Sequence, residues 1–147
     1  MTDLDFDKYR NEANAFMNDL SADLGHADEQ RRVFTVVKAV MHTIRDRITI
    51  SESFDLIAQL PFFLKAVYVD QWKYSNKPPL SYDTIEEMKQ AVKDEQAKRG
   101  ERDFDWDEST DKIIVTVLKH LKKEYFTEGQ LDHIRDQMPK EVKEVIA

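Results

Sequence analysis

The sequence predicts an all-α fold, a helical bundle of two pseudo-repeats with about four helices each. Two long segments carry apolar residues at steps of three and four, which places those residues on one face of an α-helix. The chain of 147 residues contains only three Gly and four Pro, which is too little turn punctuation for a β-rich fold. The order of the elements also repeats along the chain, and this favours an internal duplication.

The sequence pattern of the first half predicts four helices, over residues 7–24, 28–48, 54–60 and 62–72. Gly25 ends the first of them. The second has the clearest apolar face, formed by Val33, Val36, Val37, Val40, Met41, Ile44 and Ile48. Thr49 and Glu52 form a capping-box pattern ahead of the third helix. Pro61 ends the third helix and suits the start of the fourth, because proline cannot donate a backbone hydrogen bond.

The second half predicts four more helices, over residues 83–98, 110–125, 131–138 and 140–146. A shift of 77 residues aligns the apolar face of the first long helix with Ile113, Ile114, Val117, Leu118 and Leu121. A shift of 78 aligns Gln59-Leu60-Pro61 with Gln137-Met138-Pro139, and a second capping box begins at Thr127. We therefore expect one helical domain over residues 1–147, with repeat one at about 6–72, a linker at about 73–82 and repeat two at about 83–147.

A resemblance to a known family rests on two motifs. Residues 39–48 read Ala-Val-Met-His-Thr-Ile-Arg-Asp-Arg-Ile, and Ala58-Gln59-Leu60-Pro61 and an aromatic tail ending at Trp72 follow them. In these stretches the chain resembles a bacterial family catalogued as domain of unknown function 2267, and the resemblance extends from about residue 6 to 145. The second half departs from the pattern, since Met138 replaces Leu and Lys122-Lys123-Glu124 replaces Arg45-Asp46-Arg47. The resemblance implies an all-helical fold with duplicated halves, and it brings no catalytic residue and no established activity.

Charge and cysteine content narrow the classes of partner. The formal net charge of −7 repels phosphate backbones and anionic lipids, so we expect neither nucleic acid nor membrane as a partner. The absence of cysteine excludes disulfides, thiolate catalysis and cysteine metal sites, and fits a reducing compartment. The acidic N-terminus does not have the pattern of a signal peptide, and no apolar run approaches the roughly 20 residues of a membrane span. These features predict a cytoplasmic protein.

No pattern in the sequence indicates an enzyme, a cofactor or a metal site. Glycine-rich phosphate loops are absent. The acidic segment 103–107 is not an EF-hand, because Glu108 and Ile114 occupy the positions where calcium loops require Gly and Glu. The Glu-x-x-His motif of di-iron bundles does not occur. We therefore predict a non-enzymatic protein with no catalytic residues, no metal ligands and no cofactor.

An aromatic cluster is the most informative local feature. It consists of Phe62, Phe63, Tyr68, Trp72 and Tyr74. A helix that is apolar on more than one side is either buried deeply or takes part in an interface. Burial between the two repeats is one interpretation. The other is a homodimer or protein-partner surface on the segment 61–80, and it makes the protein a module for protein–protein interaction or assembly.

An alternative function uses the seam between the repeats. A duplicated fold creates a cleft along its pseudo-twofold axis, and small-molecule or metal sites favour such seams. His42, Gln59 and Trp72 would lie near that cleft. A simpler interpretation makes His42 a boundary histidine of the long helix. Gln59 and Gln137 are then structural residues, each bonding a carbonyl that the following proline leaves unpaired.

Overall fold

The computed structural model describes residues 5–73, 77–126 and 128–145. Within these ranges the chain is helical and forms no β-strand, which confirms the predicted all-α fold. The helices are α1 (Phe6–Leu24), α2 (Gln30–Arg45), α3 (Ile50–Gln59), α4 (Phe62–Val69), α5 (Ile85–Ala97), α6 (Thr110–Tyr125), α7 (Glu128–Arg135) and α8 (Lys140–Val145).

The ends of the helices follow local hydrogen-bonding rules. The Asp5 side chain accepts a bond from the Lys8 amide and caps α1, and the left-handed backbone of Gly25 (φ 79°) ends it. Thr49 caps α3 as predicted, since its hydroxyl accepts from the Glu52 amide at 3.3 Å. The corresponding capping box at Thr127 lies outside the described residues.

Several predicted helix boundaries were wrong. Because α2 ends at Arg45 and α4 at Val69, both are three residues shorter at the C-terminus than the apolar pattern indicated. The cap of α5 is Thr84, whose hydroxyl accepts from the Glu87 amide at 3.1 Å, and Asp83 lies outside the helix. α7 runs over Glu128–Arg135, earlier than the expected 131–138. By contrast, α6 has the predicted bounds.

The two long helices α2 and α6 form the centre of the core. α2 packs against α1, α4, α5 and α6, while α6 packs against α5, α8, α1 and α2. Further contacts join α1 to α4, α5 to α8 and α3 to α7. The apolar face of each long helix is buried, and this confirms the predicted burial of Val37, Val40, Ile44, Val117 and Leu121.

The segment before α5 is anchored to the end of α2. The Leu80 amide donates to the carbonyl of Asp46 at 3.0 Å, and the Arg47 side chain donates to the carbonyl of Tyr82 at 3.1 Å. The Tyr82 ring is buried, and its hydroxyl donates to the carbonyl of Thr43 at 3.0 Å. The predicted linker therefore carries a core residue at its end.

Candidate functional site

The helix α4 divides the predicted aromatic cluster between its two sides. Leu64, Val67 and Tyr68 point inward and are buried. The opposite side, which we call the outer face of α4, presents Phe62 (54% exposed), Ala66 and Val69 (45% exposed). These three residues follow the i, i+4, i+7 spacing of a single helical stripe. An apolar stripe thus remains uncovered on one side of a short helix.

Aromatic rings of α1 extend the outer face of α4. Tyr9 stacks on Phe62, with ring centroids 4.7 Å apart and planes 12° from parallel. Phe6, which is 66% exposed, meets Tyr9 edge-on at 6.4 Å. The three rings form a row that crosses from the start of α1 to the start of α4. Such a row offers a large apolar area with few side-chain rotors to immobilise on binding.

The other aromatic residues of the predicted cluster have different surroundings. Phe63 is half-buried, 5.8 Å from the ring of Phe16. Tyr68 is fully buried, and its hydroxyl shares a 2.7 Å hydrogen bond with that of Ser53. Burial raises the pKa of Tyr68. Trp72 is half-buried and meets Tyr68 edge-on at 5.8 Å. Tyr74 lies outside the described residues. Of the four cluster residues that the structure describes, only Phe62 lies on the outer face of α4.

His42 is buried in the core, deeper than a boundary residue. Its Nε2 donates to the carbonyl oxygen of Val67 at 2.7 Å. Its Nδ1 lies 3.8 Å from a carboxylate oxygen of Glu95 on α5. The interactions of Glu95 with His42 and Lys98 outweigh burial and lower the pKa of that carboxyl to about 2. His42 thus joins α2 to both α4 and α5 and has a structural role.

Arg45, one turn after His42 on α2, also bonds the backbone at the end of α4. Its Nη1 donates to the carbonyl oxygens of Tyr68 at 2.8 Å and Asp70 at 2.9 Å. The last turn of a helix leaves its carbonyls unpaired and carries negative partial charge. A buried guanidinium at this position donates hydrogen bonds to the unpaired carbonyls and neutralises their partial charge. The backbone then turns sharply at Gln71, whose φ is 58°, and this brings Trp72 back toward α3.

Gln59 does not lie near His42. It borders a shallow depression between α1 and α6, together with Glu12, Asp19 and Glu124. Among the residues that the structure describes, the Gln59 side chain has no hydrogen-bond partner, so the predicted bond to a helix carbonyl is wrong for this residue. The Gln137 side chain instead accepts a bond from the Thr49 amide at 3.2 Å and so connects the α7 end to the start of α3.

The seam between α2–α4 and α6–α8 is nearly filled. It contains an apolar cavity of about 20 Å³, enough for roughly one water molecule. Its walls are apolar or aromatic side chains, including Met41, Leu118 and Leu121. Among the described residues that line the cavity none is charged, and the hydroxyl of Tyr68 is already paired with Ser53, so the geometry does not favour the predicted seam site. No group of three His, Asp or Glu residues in the described parts of the chain is arranged to hold a metal ion.

A polar network that the sequence did not predict joins the α1–α2 turn to the segment before α6. The ring nitrogens of His26 lie 2.9 Å from Glu29 and 3.1 Å from Glu108. The His26 ring stacks on Trp106 at 4.0 Å, and the indole N–H donates to Glu29 at 2.9 Å. Burial opposes a charge on His26, but its bonds to Glu108 and Glu29 outweigh burial and raise its pKa. The sequence showed the acidic and aromatic segment 103–107 but not its partners in the network, because those partners are about 75 residues away along the chain.

Arg32 completes the network from α2. Its guanidinium forms a two-point pair with Glu101, at 3.0 and 2.8 Å, and its Nη1 also donates to Glu29 and Asp105, each at 2.7 Å. The Phe104 ring lies 5.5 Å from the guanidinium carbon. Every member bonds another member, so the network is a structural connection between the two halves of the chain.

Comparison with known proteins gives one result for almost the whole chain. Residues 13–145 match a family described as "Uncharacterized conserved protein (DUF2267)". No curated protein matches the chain. Across the residues that the structure describes, no helix is both long and apolar enough to span a membrane.

Proposed function

The chain belongs to the DUF2267 family, and from its own geometry we propose that it is a non-enzymatic module for protein–protein interaction. The observation that carries this proposal is the uncovered apolar stripe on the outer face of α4. Large exposed apolar side chains that lie together mark interaction surfaces, whereas isolated ones need no explanation. Phe62 and Val69 lie on one side of the same eight-residue helix, and Tyr9 and Phe6 enlarge the patch.

We further propose that the fold consists of two repeats, α1–α4 and α5–α8. The contacts between helices support this arrangement. Each helix of the first repeat corresponds to the helix four places later, so α1, α2, α3 and α4 correspond to α5, α6, α7 and α8. Under this correspondence the contact of α2 with α5 is matched by that of α6 with α1, and both contacts are present. The pairs α1–α2, α2–α4 and α1–α4 likewise correspond to α5–α6, α6–α8 and α5–α8. A pseudo-twofold axis would pass between α2 and α6 and between α3 and α7.

The partner that we propose for the outer face of α4 is a second copy of the chain. A twofold dimer brings the same patch of both copies together, so the patch must be self-complementary. Near the row of rings, the start of α1 carries charges of both signs, with the acidic Asp5 and Asp7 followed by the basic Lys8 and Arg10. Acidic residues of one copy can then face basic residues of the other, and this opposes the repulsion that the net charge of −7 creates.

Sedimentation velocity over a range of concentrations tests this proposal. The wild-type chain is expected to form dimers, and a Phe62→Ser, Val69→Ser variant to remain monomeric at the same concentrations. Phe54→Ser is the matched control, because Phe54 is 61% exposed on α3 and does not belong to the outer face of α4. A wild-type chain that is monomeric at every concentration, or a Phe54 variant that loses the dimer equally, would contradict the proposal.

Other parts of the sequence analysis stay predictions. They are the cytoplasmic location and the lack of nucleic-acid and membrane partners. The location is consistent with the cysteine-free composition, and the lack of these partners rests on the acidic net charge.

A further inference from the structure

The outer face of α4 has a small residue at its centre and larger residues at its ends. Phe62 and Val69 lie at the two ends, and Ala66, which is also exposed, lies between them. The stripe is about 10 Å long along the helix axis. A small central residue lets the axis of a second helix approach closely, while the larger residues on either side fill the space beside it. The stripe therefore has the form of a helix-pairing surface.

An antiparallel partner helix fits this stripe better than a parallel one. In an antiparallel pair with its twofold axis at Ala66, Phe62 of each copy lies against Val69 of the other copy. The two alanines then meet at the axis, where the helices are closest. In a parallel pair each residue faces its own counterpart, so the two Phe62 rings meet at one end and hold the alanines apart. Close packing thus favours the antiparallel arrangement.

The charge at the end of α4 is negative. Asp70 follows the last residue of the helix, and its side chain is 49% exposed. Lys38 pairs with Oδ2 of this carboxylate, and Oδ1 remains available for another donor. A parallel pair would bring the Asp70 carboxylates of both copies to the same end of the contact, where like charges repel each other.

The charge at the start of α4 is positive. Pro61 precedes the helix and provides no side-chain cap, so the first amides of α4 keep their positive partial charge. Tyr9 of α1 stacks on Phe62, and its neighbour Lys8 is exposed and has no ion pair among the described residues. An antiparallel pair brings Asp70 of each copy toward this positive end of the other copy. The electrostatic and packing arguments therefore agree.

The second repeat does not carry the same face. The shift of 78 residues places Phe62 on Lys140 and Ala66 on Glu144, and both of these charged residues of α8 are exposed. Pairing through α4 therefore does not recur at α8. An interface that joins one patch to its own copy closes after two chains and does not extend into a filament.

We propose that two copies of the chain pair through an antiparallel contact of α4 with α4, centred on Ala66 and closed at two chains. This inference rests on the proposed dimer function, to which it adds the orientation and the axis of the contact. Phe62 of each copy packs on Val69 of the other copy, and Asp70 of each lies toward the start of the opposite α4.

Disulfide cross-linking tests this geometry, because the chain contains no cysteine of its own. Helix axes about 8–10 Å apart leave roughly 3.5–5.5 Å between facing Cα atoms, which overlaps the roughly 4.4–6.8 Å that a disulfide spans. Ala66→Cys should therefore form a linked dimer on mild oxidation. Ala97→Cys is the matched control, since Ala97 is an exposed alanine at the end of α5. Its yield of linked dimer should be at least about tenfold lower, because nothing holds its two copies together.

Val69→Cys distinguishes the two orientations. Valine and cysteine are close in size, so this exchange preserves the stripe. In the antiparallel pair the two copies of Val69 are about 9 Å apart along the helix axis, which is beyond the reach of a disulfide. Val69→Cys should therefore give no more linked dimer than Ala97→Cys. Equal yields from Val69→Cys and Ala66→Cys would indicate a parallel pair and overturn the proposal.

Sedimentation velocity of the same proteins under reducing conditions separates this proposal from the dimer proposal itself. Wild-type and reduced Val69→Cys chains should both form dimers. A wild-type dimer whose Ala66→Cys variant gives no more linked product than Ala97→Cys would overturn the antiparallel contact and leave the dimer standing. A wild-type chain that is monomeric at every concentration would overturn both.

Discussion

His42 and Arg45, one turn apart on α2, bond the backbone carbonyls of the consecutive residues Val67 and Tyr68 near the end of α4. The spacing of three residues on one helix therefore matches two successive unpaired carbonyls on another. This match explains why both polar side chains are buried in an otherwise apolar interface. It also orients α4, so that Leu64 and Val67 face the core and Phe62 and Val69 face outward.

Replacing His42 by Ala should destabilise the fold by about 2 kcal/mol, because the carbonyl of Val67 loses its partner in a buried site and a cavity forms. Urea denaturation followed by circular dichroism measures this change. His120→Ala is the control, since His120 is less deeply buried than His42 and pairs with the largely exposed Asp23, and its effect should be smaller. Equal stabilities of the two variants would contradict the structural role of His42.

The apolar faces of α2 and α6 should be equally sensitive to truncation. Val40 and Leu121 are both buried, at 0% and 2% exposure. Val40→Ala and Leu121→Ala should each lower the free energy of unfolding by about 2 kcal/mol or more, through lost burial and a residual cavity. Val69→Ala on the outer face of α4 provides the comparison, with a change of less than about 0.5 kcal/mol in the monomer. An unchanged thermal midpoint in both core variants would contradict this prediction.

The network around His26 should make stability depend on pH. The pKa of His26 is raised above its ordinary value of 6.5 in the folded protein. Its ion pairs therefore stabilise the fold fully below pH 6.5, and this stabilisation is lost as the pH rises through the folded pKa. The hydrogen bond to His26 is the main cause that lowers the pKa of Glu108 below its ordinary value of 4.5. The stabilisation that Glu108 adds to the fold is therefore fully present above pH 4.5 and is lost as the pH falls through the folded pKa.

Between these limits the network contributes its full stability. Denaturation curves measured at a series of pH values should therefore show a fall in stability above pH 6.5 in the wild type. His26→Gln removes the titrating group, so its curve should be flatter in the same range. A fall of the same size in both proteins would assign the pH dependence to other residues.

Two glycines should respond in opposite directions to the same substitution. Gly25 has a φ of 79°, and an added Cβ would lie 3.9 Å from Glu108. Gly25→Ala should lower stability by about 1 kcal/mol, because the left-handed backbone is strained for alanine. Gly129 is the second residue of α7, and beyond its own turn no atom of the described residues lies within 4 Å of an added Cβ. Gly129→Ala should raise stability by about 0.5 kcal/mol. Thermal midpoints that shift in the same direction would contradict the assignment.

Local patterns in the sequence predicted the helices and the core well. The apolar periodicity of α2 and α6 and the cap at Thr49 depend on residues within a few positions of one another, and the structure confirms them. The network around His26 and the anchored Tyr82 could not be predicted, because their partners are distant in sequence and share no local pattern.

The two Gln-Pro motifs show the same limit. They look alike in sequence, yet Gln137 bonds the Thr49 amide and Gln59 has no partner within the described ranges. Gln137→Ala should therefore cost about 1 kcal/mol, and Gln59→Ala should leave the free energy of unfolding nearly unchanged. Equal losses from the two substitutions, measured by urea denaturation, would show that the motifs act alike.

The bonds that fix Leu80 and Tyr82 to the end of α2 have a consequence for assembly. A duplicated helical protein whose halves share one connection is prone to domain swapping, in which two molecules exchange halves. Here the connection is bonded to the first half before α5 begins, so α5–α8 pack onto their own chain. The dimer that we propose would therefore form between completed surfaces, and we expect it to dissociate on dilution without unfolding. Loosening the anchor, as in a Tyr82→Phe, Arg47→Ala variant, would favour an exchanged dimer that persists after dilution.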